Sequence, residues 1–210
     1  VVAALLVNAV YIAGVLRYDT SATTLMLLFW LETALIIGTH HVLLTSHRPA
    51  AGEPRPEPAT ITVKGREKKV PWRVAWLRTA LPFTLVHGIL VLMLALLPFD
   101  GLIDDPGWRV QWAQVGQGAL LIAVFSVGGL FFALRGLARQ RFVDLRAAAE
   151  RDTARVFVLQ IGIVAGMFIV ARMGITTGPL LVILALKTLV DVAVASRSGA
   201  TTEPDAPVKP

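Results

Sequence analysis

Glu32, His40, His87, Lys187 and Asp191, side chains able to carry charge or a proton, sit inside apolar stretches of this chain. The amide of Gln160 is a further polar group in such a setting. Lys187 and Asp191 interrupt LLVILALKTLVDVAVA (Leu180 to Ala195), a run long enough to enter a bilayer. On insertion scales a charge at membrane depth costs at least ~2.5–3.5 kcal/mol, so each of these residues needs a partner. Four positions apart on a helix they share a face and can neutralise each other, although Lys before Asp is the weaker orientation. A second carboxylate at comparable depth is therefore expected to help, and Glu32 is the one available; His87 is expected to share their hydrogen bonds.

Three chemistries fit these residue types. A proton or ion relay through Glu32, His87, Lys187 and Asp191 would serve a small transporter or channel. Glu32, His40, His87 and Asp191 could instead hold a metal ion, zinc donors lying ~2.0–2.2 Å from it, whose bound water would make an intramembrane hydrolase. Against that reading, the chain has no HExxH and no GxSxG, and Lys187 would repel the metal. In the third reading the polar groups hold a bundle together in a noncatalytic module that binds a lipid, a cofactor or a membrane partner. No pattern in the sequence names a cofactor, and a lone intramembrane His is more often a hydrogen-bonded packing residue than a ligand.

The elements that would carry these groups are membrane spans. With 55% hydrophobic residues, only 16% charged and a mean hydropathy of +0.68, the chain has too little polar surface for a soluble domain. It has no cysteine, which removes disulfides and thiolate metal sites. The formal charge of +6 lies in loops between apolar runs, so anionic lipid headgroups, and not nucleic acid, are the expected partner. The sequence starts at Val1 with no charged leader region, which reads as a trimmed start and not as a cleaved signal peptide.

The expected fold is all-α, a six-helix transmembrane bundle with a cytoplasmic amphipathic helix. One integral membrane domain over residues 1–196 would have spans near 1–16, 22–44, 79–98, 114–134, 156–171 and 179–195. Residues 47–71 form a basic, Pro-rich loop: a flexible extended connector, then a hairpin or loop over Thr60 to Trp72. Leu137, Phe142, Leu145 and Ala149 recur at helical spacing, which predicts a surface helix over Leu137 to Glu150. Gly128 with Gly129, and Gly162 with Gly166 in GIVAG, are candidates for close helix packing. Residues 197–210, rich in Thr, Pro and Ala, are expected to be disordered. Basic residues concentrate in two loops, Arg48 to Arg78 and Arg135 to Arg155, while the other three loops hold only Arg17, Arg109 and Arg172. The positive-inside rule then puts both termini in the cytoplasm of a multi-pass cell-membrane protein, with the polar groups in the cytoplasmic half or near its boundary.

LFWLETALIIG (Leu28 to Gly38), FTLVHG (Phe83 to Gly88), RVFVLQIGIVAG (Arg155 to Gly166) and LKTLVD (Leu186 to Asp191) span most of the chain. In order and spacing they resemble an uncharacterised family of small bacterial and archaeal multi-pass membrane proteins, a domain of unknown function. The resemblance implies Glu32, His87, Lys187 and Asp191 as the family's polar positions. In that pattern a histidine is usual where this chain has Gln160, and an asparagine is common near His41. The first departure counts against a mechanism that needs two imidazoles. The resemblance supplies no activity.

Overall fold

The computed structural model describes residues 2–49, 53, 57–96, 109–173 and 177–199. Six α-helices account for most of them: α1 (Val2–Tyr18), α2 (Ala22–Ser46), α3 (Trp72–Leu96), α4 (Trp112–Gly136), α5 (Phe142–Met173) and α6 (Thr177–Gly199). Among the described residues three helical stretches are long and apolar enough to cross a membrane, Ala22–Ser46, Trp72–Met93 and Trp112–Arg139. The all-α expectation needs one amendment. A two-stranded antiparallel hairpin, β1 (Ala59–Val63) and β2 (Arg66–Val70), lies between α2 and α3. Its register pairs Ala59 with Val70 and Val63 with Arg66, leaving Lys64 and Gly65 as a two-residue turn. Both turn residues have positive φ, 51° and 74°, the geometry that matches the twist of the flanking strands.

The hub is α2, which packs against α3, α4 and α5, while α6 joins α1 to α5. Its first turn explains why. Ser21 caps the helix, its hydroxyl accepting from Thr24 N and donating to Thr24 Oγ1. Gln111, just before α4, then clips onto the same turn: its Oε1 accepts from Ser21 N at 3.0 Å, and its backbone N–H donates to Thr24 Oγ1 at 2.9 Å. Residues 21–29 of α2 and its cap are all buried, so this end of the helix is enclosed on every side. Further along, Trp30 donates to the Thr84 carbonyl at 3.0 Å, and its indole lies where a Cβ on Gly88 would stand, 2.3 Å from Nε1. Only glycine admits the ring there, which is a packing reason for the last residue of FTLVHG. Pro82 sits inside α3, between Trp72 and Gly88, and withholds an N–H from the helix ladder.

Three sequence expectations about elements change. The predicted surface helix and the fifth span are one continuous 32-residue helix, α5, preceded by a short 3-10 turn at Leu137–Arg139. No Pro or Gly interrupts residues 142–161, and Leu145 and Ala149 are buried against Leu43, Leu44, Trp76 and Ala80 instead of lying on a membrane surface. Among the described residues Gly128 and Gly129 make no close helix contact: a Cβ at either would find nothing within 4 Å. The close approach of α4 to α2 is made by Gly118 instead, where a Cβ would come within 2.7 Å of the Leu28 methyl carbons. Within the Pro-rich connector, Glu53 docks on the bundle: its Oε1 accepts from Phe142 N at 2.6 Å, placing a carboxylate at the N-terminus of α5. Gly162 and Gly166 belong to α5, but their surroundings lie outside the described residues, as do residues 200–210 of the tail; 197–199 continue α6.

Candidate functional site

Lys187 and Asp191 stand one turn apart on α6, each only 3% exposed. Their side chains meet at 2.7 Å, Nζ to Oδ2. Glu32 of α2 completes the pairing, Lys187 Nζ lying 3.1 Å from Oε2 and 3.2 Å from Oε1. The expected association of Lys187, Asp191 and Glu32 therefore exists, and α1 and α5 add to it from either side. Asn8 of α1 accepts from Lys187 at 3.1 Å and donates to Asp191 Oδ2 at 2.8 Å. Tyr11, one turn on, donates to Glu32 Oε2 at 3.1 Å. From α5, Arg155 brings Nη2 to 3.4 Å from Glu32 Oε1 and Nε to 2.6 Å from Asp191 Oδ1. That last approach is governed by charge and not by an aligned N–H, for neither atom has a hydrogen-bond partner in line.

The electrostatics close. Two cations, Lys187 and Arg155, face two carboxylates, Glu32 and Asp191, so the cluster is neutral. An ammonium has three protons, and Asn8, Glu32 and Asp191 supply three acceptors. The rings of Tyr11 and Phe29, 5.3 and 5.7 Å from Nζ, cover the remaining side with their electron-rich faces. The two rings meet edge to face with centroids 5.0 Å apart. A charge held this way has its lost hydration replaced by fixed dipoles and counter-charges, the condition under which ions persist in apolar surroundings.

Gln160 of α5 belongs at the edge of this site. It is buried, its Oε1 has no hydrogen-bond partner, and it shares a cavity of about 20 Å³ with Glu32, Arg155 and Lys187. That is room for one water molecule. His87 does not join. It is buried on α3 beside Phe83, ring centroids 6.3 Å apart, and makes no hydrogen bond or ion pair with the described residues. His40 belongs to another site nearer the hairpin end of the bundle. Its Nε2 lies 2.6 Å from Asp152 Oδ2 of α5, and its ring meets Trp76 edge to face. Trp76 in turn donates to Thr153 at 2.9 Å.

The ligand set drawn from the sequence for a metal, Glu32, His40, His87 and Asp191, is thus divided among three places. Among the described residues no group of three or more His, Cys, Asp or Glu side chains is arranged to hold an ion. Sequence reasoning misses Asn8, Tyr11 and Arg155. Asn8 is the one amide in the apolar run Val1 to Leu16, and asking what it would bond to is the signal that could find it. Arg155 reads as the end of a basic loop because it opens the fifth apolar run. No curated protein and no solved structure matches the chain. A family model does match, over residues 1–207, and on that match the chain belongs to DUF6498, a family of unknown function.

Proposed function

We propose that this chain is a noncatalytic, six-pass module of a prokaryotic cell membrane, in which the charged cluster fixes the arrangement of four helices. Both termini and the two basic loops face the cytoplasm in this reading. The observation that carries it is the closure of the cluster: every proton of Lys187 has an acceptor, the charges sum to zero, and the adjoining cavity admits a single water. A relay or a substrate site needs a group left open to something that arrives, whereas here Lys187 is fully engaged and the two cluster atoms without an aligned hydrogen bond, Arg155 Nε and Asp191 Oδ1, face each other at 2.6 Å. The hairpin adds the expected lipid contact, since Lys64, Arg66, Lys68 and Lys69 are all exposed and would stand at anionic headgroups.

The second reading, a proton relay, is favoured by one observation. Gln160 Oε1 is an unsatisfied acceptor in the same small cavity as Glu32, and a water between them would extend the cluster toward α5. One experiment separates the two. Full-length protein reconstituted in liposomes with an entrapped pH-sensitive dye is expected to pass protons no faster than protein-free vesicles under an imposed potential. Flux above that baseline that Glu32→Gln abolishes would establish the relay instead.

A further inference from the structure

Between α1 and α4 runs a groove of about 370 Å³, in the size range of small-molecule sites. Its floor is Leu25 and Leu28 of α2, and Ala13 and Leu121 stand in its walls. Among the described residues no Asp, Glu, Lys, Arg or His lines it. One end is polar but uncharged, built where the α1–α2 turn meets the start of α4. There Thr20 and Gln114 satisfy each other at 2.7 Å, and Gln114 also donates to the Tyr18 carbonyl. Gln117 and the Tyr18 hydroxyl, in contrast, have no hydrogen-bond partner among the described residues. The other end stops at Tyr11, whose hydroxyl is taken by Glu32. Val10 in its lining, and Leu120 and Val124 on the α4 stretch that also supplies Leu121 and Ile122, are exposed and apolar, so the groove is flanked by the apolar surface of a candidate span.

We propose that this groove is a lipid site holding one acyl chain of a bilayer phospholipid, with the ester region at Gln117 and Tyr18. This rests on the membrane-module reading. The chemistry of the two ends selects the occupant. A lateral apolar opening admits a chain that is already in the bilayer core and never crosses water. At the rim, the exposed Gln117 amide and Tyr18 hydroxyl can donate to ester carbonyls, contacts that a hydrocarbon alone does not offer. The uncharged lining offers no counter-ion to a carboxylate, so a phospholipid ester suits it better than a free fatty acid. The length of the groove ends on a tyrosine already committed to the charged cluster, which sets how deep the chain can reach.

The test is native mass spectrometry of the full chain released from neutral-detergent micelles containing 1-palmitoyl-2-oleoyl phosphatidylethanolamine, with palmitate as a separate arm. The wild-type protein is expected to retain one phospholipid. Ala13→Phe, which fills the groove from an exposed α1 position, is expected to lower the retained fraction about tenfold, and Gln117→Leu, a milder change at the rim, to lower it severalfold. Val127→Phe adds bulk to an exposed α4 position outside the groove and is expected to leave retention unchanged. Equal retention in all variants would mark the lipid as annular, absence of any adduct in wild type would remove the site, and preferential retention of palmitate would replace the proposed occupant. Any of these together with vesicles that stay proton-tight sinks the lipid site while leaving the membrane-module reading standing; Glu32-dependent proton flux alongside a groove-dependent adduct would do the reverse.

Discussion

Lys187 is the residue on which the cluster turns, because removing it strands two carboxylates opposite a single guanidinium. Breaking a buried pair from one side costs ~3–5 kcal/mol, so Lys187→Met is expected to lower stability by about that much, read by thermal or denaturant unfolding in detergent. Combining it with Glu32→Gln leaves Arg155 facing Asp191, a balanced pair 2.6 Å apart, and is expected to recover part of the loss. A double variant no better than the sum of the single ones would show that the two residues are not coupled. Gly88 gives a second residue-scale test. A methyl group there lands on the Trp30 indole, so Gly88→Ala is expected to destabilise by ~1–3 kcal/mol, and adding Trp30→Phe should relieve most of it. The Lys187, Asp191 and Glu32 association is legible in the amino-acid sequence, since a charge inside an apolar run demands a counter-charge and few candidates exist. The place of His87 is not, because burial alone does not say which neighbours a ring will meet; it stacks by Phe83 on its own helix.

At the scale of elements, α5 is the piece that sequence patterning conceals. Asp144, Glu150, Asp152 and the arginines among them look like a surface segment, and their polarity hides the fact that nothing there stops a helix. The apolar positions Leu145 and Ala149 do share one face, as their spacing requires, but that face packs on α2 and α3 instead of on lipid. Arg151→Pro distinguishes the two arrangements. At a junction between separate helices proline would cost little, whereas inside the continuous α5 it should cost ~3 kcal/mol or more and loosen the His40 to Asp152 and Trp76 to Thr153 ties that follow it. Stability of the purified variant, and protection of the Trp76 region in hydrogen exchange, read that outcome. The hairpin, by contrast, is half visible in the sequence. Lys64 and Gly65 between two five-residue runs are a sound turn signal, but which residues pair is fixed by the turn geometry and by Val70 being drawn into the bundle.

For the whole molecule, the orientation is open to direct measurement because the chain has no cysteine of its own. Single cysteines at Thr62 in the hairpin and at Arg109 before α4 should label from opposite sides of the membrane, Thr62 only after the cytoplasmic face is opened. Labelling of Thr62 from outside in intact cells would invert the proposed topology. The long helices follow from hydropathy, which is why the spans of α2, α3 and α4 can be drawn from apolar runs within several residues. Which helix stands at the centre cannot, since every apolar run looks equally able to be surrounded, and it takes Ser21, Thr24 and Gln111 locking one end to make α2 the hub. The unbroken length of α5 has a mechanical consequence. Thirty-two residues make a rod of about 48 Å, against ~30 Å of bilayer hydrocarbon, so a span built from it has to stand well proud of the membrane. Its N-terminal end is held by Glu53, and Arg155 sits ~20 Å further down the same rod, in the charged cluster. One unbroken helix thus ties the docking point of the connector to the charged cluster, so the two ends of that link share a single rigid element.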